Sequence, residues 1–473
     1  MCTLAYMECR DDGHGVFAWR VRGRAPRQGG AWLLEAIVRC CSVCLRRAAK
    51  GKRASIIRAD RFLGNPRVTA SALIEGWGKQ TARWVGGRHI LAVQDSSEIG
   101  LRTTPSQRRG LGLVGCGNSH GLMLHAMLAV DAESGDCLGL VSGQVWNRDG
   151  RVPARADDRP LSEKESNRWG MTAQAAKAVL SDARRVTVVG DRESDIYADW
   201  SRLPEPGFDL LLRSCQNRRL AGGGWLHTVS AEWPAAGSAT IQVPAAIGTP
   251  GAVKGERPVA LTLRHGPVEL RRPDARYVAM QDPALPPTVA VHLVEVVETE
   301  PPPGVEPVHW RLLTTHTPTT TAEAWQIVGW YKARWTIEQM FRLMKSQGLG
   351  IEDTQVESAE RLLKLTAIAA AAATRILQLV QARDGRCSQS AKIAFNETEI
   401  KVLDTLDRGI YRPRTPKQTN PHQPRTLAWA AWLVARLGGW DGYAASRKPG
   451  PITLIRGYET LQNLVQGWSL RDV

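Results

Sequence analysis

Four residues in the C-terminal half, Tyr331, Arg334, Glu338 and Lys345, are spaced so that a helix would bring them to one side. With Tyr331 at zero and about 100° per residue, Arg334 falls at about 300°, Glu338 at about 340° and Lys345 at about 320°. The four share an arc of about 60°, with Arg342 beside them. Ile337, Met340 and Met344 fall on another side and Phe341 on the border, which separates an apolar face from a charged one. A plain amphipathic helix with a solvated charged face fits the same pattern. Two aspartates add chemistry. The apolar run Ile90–Val93 ends at Asp95, and Val186-Thr-Val-Val-Gly ends at Asp191. Strand ends are where open α/β sheets gather functional groups. Carboxylates supply hard oxygen ligands for two Mg²⁺ or Mn²⁺ ions about 4 Å apart. One ion would activate a water or 3′-hydroxyl, and the other would stabilise the departing oxygen of a phosphodiester. Cations on the Glu338 helix would then hold the backbone phosphates.

The bulk properties agree with a polyanionic partner. The 473 residues carry 62 Lys and Arg against 46 Asp and Glu, a net charge of +16. Such a charge favours nucleic acid, with an anionic membrane surface as the other possibility. The length allows two to four domains. The longest apolar candidate, Leu365 to Leu377, is interrupted by Arg375 and too short to span a bilayer. The N-terminus has no apolar signal-peptide core. A cytoplasmic protein with no membrane partner is expected. The nine cysteines are odd in number and irregularly spaced, which argues against a disulfide framework. Cys41 and Cys44 form one C-x-x-C, but no second pair follows at a regular distance. Cys9 and His14 could complete a zinc site only through the fold, so zinc is not expected.

The elements that must position these residues are legible in outline. Residues 61–88 read as helical, with Ala72, Leu73, Ile74 and Trp77 at helical spacing. Strand-like runs follow at Ile90–Val93, Leu122–Val130 and Leu138–Val145, then a helix over Glu163–Leu180, the Val186–Gly190 strand and a helix from Glu193. That order predicts a layered α/β core. Phe208–Arg213, Thr240–Val243, Val259–Leu263, Val289–Val297 and Trp310–Thr315 are further strands, separated by Pro and Gly. From Thr321 onward the reading is helical, with a Pro-rich linker from Arg412 to Pro424.

Asp191-Arg-Glu-Ser-Asp195-Ile, and Tyr331-x-x-Arg334-x-x-x-Glu338 followed seven residues on by Lys345, resemble signatures of insertion-sequence DDE transposases. The second is similar to the YREK signature of the insertion-sequence-four group, the branch that includes the Tn-five transposase. Val93-Gln-Asp95-Ser-Ser, Leu161-Ser-Glu-Lys-Glu-Ser166 and Leu437-Gly-Gly-Trp440 also resemble family segments, and the likeness runs from about Arg61 to Val473. It implies an α/β fold: an RNase H-like catalytic core (a mixed sheet flanked by helices) over 89–375, with a β-rich insertion at about 215–310. It also implies a helical dimerisation region over 376–473, with 61–88 as a remnant of the DNA-end-binding domain. Asp95, Asp191 and Glu338 would be the catalytic triad, binding two Mg²⁺ or Mn²⁺ ions. Tyr331, Arg334 and Lys345 would contact DNA near the scissile phosphate. Trp310 would pocket a base flipped during hairpin formation, and Arg213 would lie beside the hairpin. A homodimer would grip double-stranded transposon ends and join them to target DNA in a bacterial cytoplasm.

The first 60 residues depart from the family. They hold 12 Lys and Arg against 5 Asp and Glu, and five of the nine cysteines, with little amphipathic pattern outside Trp32–Cys44. A shifted reading frame or a wrong start would produce such a segment. An N-terminally defective relic that binds DNA or dimerises without transposing is therefore the alternative to an active enzyme. An unrelated RNase H-like nuclease, such as a junction resolvase, fits the β insertion and the YREK spacing less well. If Lys345 meets a phosphate, Lys345→Ala should weaken DNA binding and reduce the slope of log affinity against log salt by about one. An unchanged slope in a filter-binding titration would remove that contact.

Overall fold

The computed structural model describes residues 24–102, 110–115, 119–148, 159–244, 256–274, 280–345, 348–410, 418–443 and 445–469. Cys9, His14 and residues 412–417 of the Pro-rich stretch lie outside the described residues. The chain divides into two compact units, one of Met1–Gln80, Ile99–Leu111 and Met340–Val473, the other of Thr81–Glu98 and Gly112–Gln339.

The second unit is built on one mixed sheet. In chain order its strands are β1 (His89–Gly100), β2 (Gly112–Val114), β3 (Ser119–Asp131), β4 (Cys137–Trp146), β5 (Arg185–Gly190), β6 (Phe208–Arg213), β7 (Gly237–Pro244), β8 (Glu256–Arg271), β9 (Thr288–Glu298) and β10 (His309–Thr314). They run in the order β2-β3-β1-β5-β6-β10-β9-β8-β7, with β4 also on β3. β5 pairs in parallel with β1 on one side and β6 on the other. A strand with two parallel neighbours is covered on both faces, which is why Val186, Val188 and Val189 form a near-continuous apolar run. Parallel neighbours require crossovers, and the helices Arg168–Val179 and Tyr197–Arg202 lie in the two connections around β5. The set β4-β3-β1-β5-β6, antiparallel between β3 and β4 and parallel around β5, is the mixed sheet of an RNase H-like core.

The β-rich insertion extends this sheet. β10 pairs antiparallel with β6 on one edge and with β9 on the other, and β8 and β7 follow. Several strands are longer than their apolar runs suggest. β1 continues through Ser96, Ser97 and Glu98 to Gly100, so Asp95 lies within a strand rather than at its end. The pairing of β1 with β5 stops at Val93↔Val189, however, and Asp95 sits two residues past it. Asp191 is the first residue after β5.

The span from Tyr331 to Lys345, expected on one helix, falls on two. Thr321–Lys332 starts at a capping box between Thr320 and Glu323, and Trp335–Met344 follows a short break. At the break Arg334 N–H donates to Tyr331 O and Ile337 N–H to Arg334 O, three residues back instead of four. This tightening redirects the second helix, so a single straight wheel does not describe Tyr331 to Lys345.

The described part of the first unit is helical. Within the divergent first 60 residues, Arg24–Cys40 buries Leu33, Leu34 and Ile37 and packs on the Ala359–Ala382 helix. That 24-residue helix is long and apolar enough to cross a membrane by composition, yet it is the core of this unit. Its Arg375 is buried against Glu399 at 3.0 Å, and Glu399 also accepts from the Tyr458 hydroxyl at 2.8 Å. Leu427–Leu437 is buried from Leu427 to Ala435, whereas Ile452 and Leu464 of Pro451–Ser469 are exposed. These last two helices cross at glycines. A Cβ on Gly457 would lie 1.7 Å from Val434 O, and one on Gly438 2.0 Å from Thr453 O. Both neighbours are backbone and cannot swing away. Gly457→Ala should therefore lower stability by about 1–3 kcal/mol, read as a shifted urea midpoint. A midpoint equal to the parent's would mean that the helices separate without cost.

Candidate active site

The three carboxylates expected to do chemistry reach the same region of the second unit by three routes. Asp95 comes from the β1 extension, Asp191 from the turn after β5, and Glu338 from the first turn of Trp335–Met344. Arg334, in the break just before that helix, joins two of them. Its Nη1 donates to Asp95 Oδ2 at 2.9 Å and its Nη2 to Glu338 Oε1 at 2.7 Å. The Tyr331 hydroxyl donates to Asp191 Oδ1 at 3.3 Å, and Arg213 Nη1 is 4.0 Å from the same oxygen. The Arg334 guanidinium also lies over the Tyr331 ring, 5.8 Å from its centroid. Residues separated by more than two hundred positions thus form one chain of contacts, Asp95–Arg334–Glu338 with Tyr331 and Asp191 alongside.

Burial sharpens the electrostatics. Burial and the neighbouring Asp191 and Glu338 push the Asp95 carboxyl up to about 6, restrained by Arg334 and by a hydrogen bond from Ser96 N–H. Arg334 is held above its ordinary range because four acidic groups, Tyr331, Asp191, Asp95 and Glu338, outweigh its own burial. Burial chiefly, and Asp191, drive the Tyr331 phenol well above its usual value, so it remains a hydrogen-bond donor.

The surrounding packing fixes these groups. Trp330 sits edge-on to His89 at 4.7 Å and tilted against His316 at 4.9 Å, while both imidazoles share the Thr187 hydroxyl at 2.8 Å. This pins the end of the helix that carries Tyr331. On the other side Trp310 meets Tyr331 at 5.3 Å and Trp335 at 5.8 Å, both edge-to-face. Trp310 is only 6% exposed. The turn after Asp191 is tied down by Asp195, which accepts from Arg218, Trp200 Nε1 and Cys215 N–H. Gly190 is needed there, because a Cβ would fall 2.4 Å from Ser194 Oγ.

Of the residues singled out by sequence, Asp95, Asp191, Glu338, Tyr331, Arg334, Arg213 and Trp310 are brought together. Lys345 follows the end of its helix, in the first unit, and its Nζ lies 3.6 Å from Glu352. Arg334 faces the acids and is buried. Sequence reasoning gave no role to Ser96, His125 or Arg168. Arg168 Nε donates to Ser96 Oγ at 2.9 Å, and Ser96 Oγ meets His125 Nδ1 at 2.9 Å. Their signals were the family-like segments Val93-Gln-Asp95-Ser-Ser, which contains Ser96, and Leu161–Ser166, which ends two residues before Arg168.

Residues 148–375 match the family model of the transposase DDE domain. The matched stretch contains Asp191 and Glu338, and Asp95 precedes it. Among solved structures, the chain is similar to a piggyBac transposase synaptic complex with hairpin DNA, at 10% identity over 77% of this chain and 70% of that one, with a TM-score of 0.37.

The donor set of this site suits a hard divalent cation: three carboxylates, two of them with oxygens on one cationic group. Among the described residues no three of His, Cys, Asp and Glu are gathered closely enough to hold a metal as they stand. The Arg334 guanidinium lies between Asp95 and Glu338, and it would have to give way.

The elevated Asp95 carboxyl has a consequence for the metal-free protein. With a folded value near 6 against an ordinary 3.8, the folded state binds more protons in that window. Stability therefore falls as pH rises from about 4 to about 6 and stays lower above it. Asp95→Asn removes this loss and should gain on the order of 2 kcal/mol at pH 7, measured by thermal unfolding in a chelator. A pH profile identical to the parent's would show that Asp95 ionises as freely as in the unfolded chain.

Proposed function

We propose that this chain is a cut-and-paste DNA transposase of the insertion-sequence-four type. It would cleave double-stranded DNA at transposon ends, pass through a hairpin and join the ends to target DNA. The observation that carries this reading is the bridge from Asp95 through Arg334 to Glu338, with Tyr331 holding Asp191 beside it. The DDE domain match over Asp191 and Glu338 supports the same assignment. A net charge of +16 suits a DNA partner.

Asp95, Asp191 and Glu338 would hold two Mg²⁺ or Mn²⁺ ions. When bound, such ions lower the pKa of an attacking oxygen and balance the charge that develops on the departing one. The protein's own residues supply the rest. The buried Trp310, with the half-buried Trp335 packed edge-on against it, helps keep bulk water from the buried Tyr331, which strengthens each electrostatic contact there. Arg334, whose planar fork spans Asp95 and Glu338, would be able to turn that fork to two phosphate oxygens if the carboxylates held ions instead. Arg213 is held by the His309 carbonyl at 3.0 Å and adds a second positive group near Asp191. Trp310 backs Tyr331, and a flipped base could reach its ring only if the Trp335 side chain moved. Lys345 would contact the backbone farther along, and two copies of the chain would grip the two ends.

The test uses a duplex carrying the DNA that flanks the gene, incubated with Mg²⁺ and the full chain. Asp95→Ala, Asp191→Ala and Glu338→Ala should each abolish strand cleavage and leave DNA affinity largely unchanged. Near-normal cleavage by any one of them removes that residue from the triad. Binding without cleavage by the parent would favour a relic that has kept only its grip on DNA.

A further inference from the structure

Arg168 opens the Arg168–Val179 helix and uses its guanidinium in three directions. Nε donates to Ser96 Oγ at 2.9 Å, Nη2 is paired with Glu193 Oε2, and Nη1 donates to Glu165 O at 2.9 Å. Ser96 adjoins Asp95 in β1 and gives its backbone N–H to Asp95 Oδ1 at 2.7 Å. Glu193 lies two residues after Asp191, in the turn that Asp191 caps. One planar group thus ties together the two separate chain segments that carry the first two acids.

The Gln94 amide oxygen fixes the hydrogen-bond directions. Oε1 can only accept, so His125 donates to it from Nε2, at 3.2 Å, and the neutral ring is left with an unprotonated Nδ1. That Nδ1 accepts the Ser96 hydroxyl proton, while Ser96 Oγ accepts from Arg168 Nε. His125 is fully buried and edge-on to Trp169 at 4.6 Å, so this network cannot reorganise by admitting water. The Arg168 side chain is 10% exposed and lies 5.6 Å from the centroids of both Trp146 and Trp169. An ordinary surface ion pair with the exposed Glu193 would matter little. A guanidinium confined by two indoles and joined to a buried serine–histidine–glutamine relay is a fixed structural member.

We infer that Arg168 is a positioning residue for the acidic triad, setting Asp95 through Ser96 and the Asp191 turn through Glu193 so that both carboxylates present one geometry to a divalent cation. The inference rests on the triad reading above. Outer groups that orient metal-binding carboxylates commonly control affinity by about 10- to 100-fold. A lysine could not reproduce the role, since it lacks the planar edge that spans Ser96 and Glu193.

The experiment measures Mn²⁺ binding by electron paramagnetic resonance on the full-length chain, with thermal unfolding as a check on folding. Arg168→Ala should weaken Mn²⁺ binding by about tenfold or more. Ser96→Ala removes a single hydroxyl and leaves the packing intact, so it remains informative if Arg168→Ala folds poorly. It should also weaken binding, and the double variant should be no weaker than Arg168→Ala alone, because the Ser96 path is one of the two that Arg168 controls. Affinities of Arg168→Ala and Ser96→Ala within twofold of the parent, with Asp95→Asn devoid of binding, would overturn the role of Arg168 and leave the triad standing. Parent-like binding by Asp95→Asn would instead overturn the triad, and the positioning role with it.

Discussion

Carboxylates drawn to one region of a protein repel one another, and Arg334 is the group set against that repulsion. Its two terminal nitrogens reach Asp95 and Glu338, while its face lies over Tyr331, whose hydroxyl meets Asp191. Burial drives the Asp95 carboxyl toward protonation even with Arg334 beside it. A guanidinium and a divalent ion would answer the same need, so in the proposed metal-bound state the ion would have to win a competition with Arg334.

Sheet pairing and helix tightening bring that site together. β5 holds β1 and β6 in parallel register, which sends Asp95 and Asp191 out side by side beyond the last β1–β5 pair. The insertion returns through β10 to pair with β6, and so places Trp310 against Tyr331. Glu338 then lies beside Arg334 at the ordinary four-residue helical spacing. Each displacement is a few residues of backbone, yet each depends on contacts between segments far apart in the chain.

Much of this was legible before any coordinates. Asp191 follows a run of buried valines, and the Tyr331, Arg334 and Glu338 spacing put a phenol, a cation and an acid on one side, where the structure brings them together across a break in the helix. The break itself left no sign, because neither Pro nor Gly stands at 333 or 334. β1 was read too short because Ser96, Ser97 and Glu98 are polar, and only tertiary pairing makes them strand. The burial of Trp310 is what its place at the start of an apolar strand suggests, whereas that of Arg334 was hidden, because composition favours an exposed cation. Arg168, Ser96 and His125 lie tens of residues apart, and nothing but the fold relates them. The helix from Arg24 to Cys40 was obscured by its arginines and glycines, though its Leu33, Leu34 and Ile37 fill a core.

A divalent ion and the Arg334 guanidinium would compete for the same carboxylates, and diffraction from crystals of the chain grown with Mn²⁺, recorded at the manganese absorption edge, can show which holds them. Anomalous density bounded by Asp95, Asp191 and Glu338 is expected, with the Arg334 side chain withdrawn from Asp95 and Glu338. Manganese bound elsewhere, or Arg334 still bridging the two acids at saturating metal, would rule that competition out.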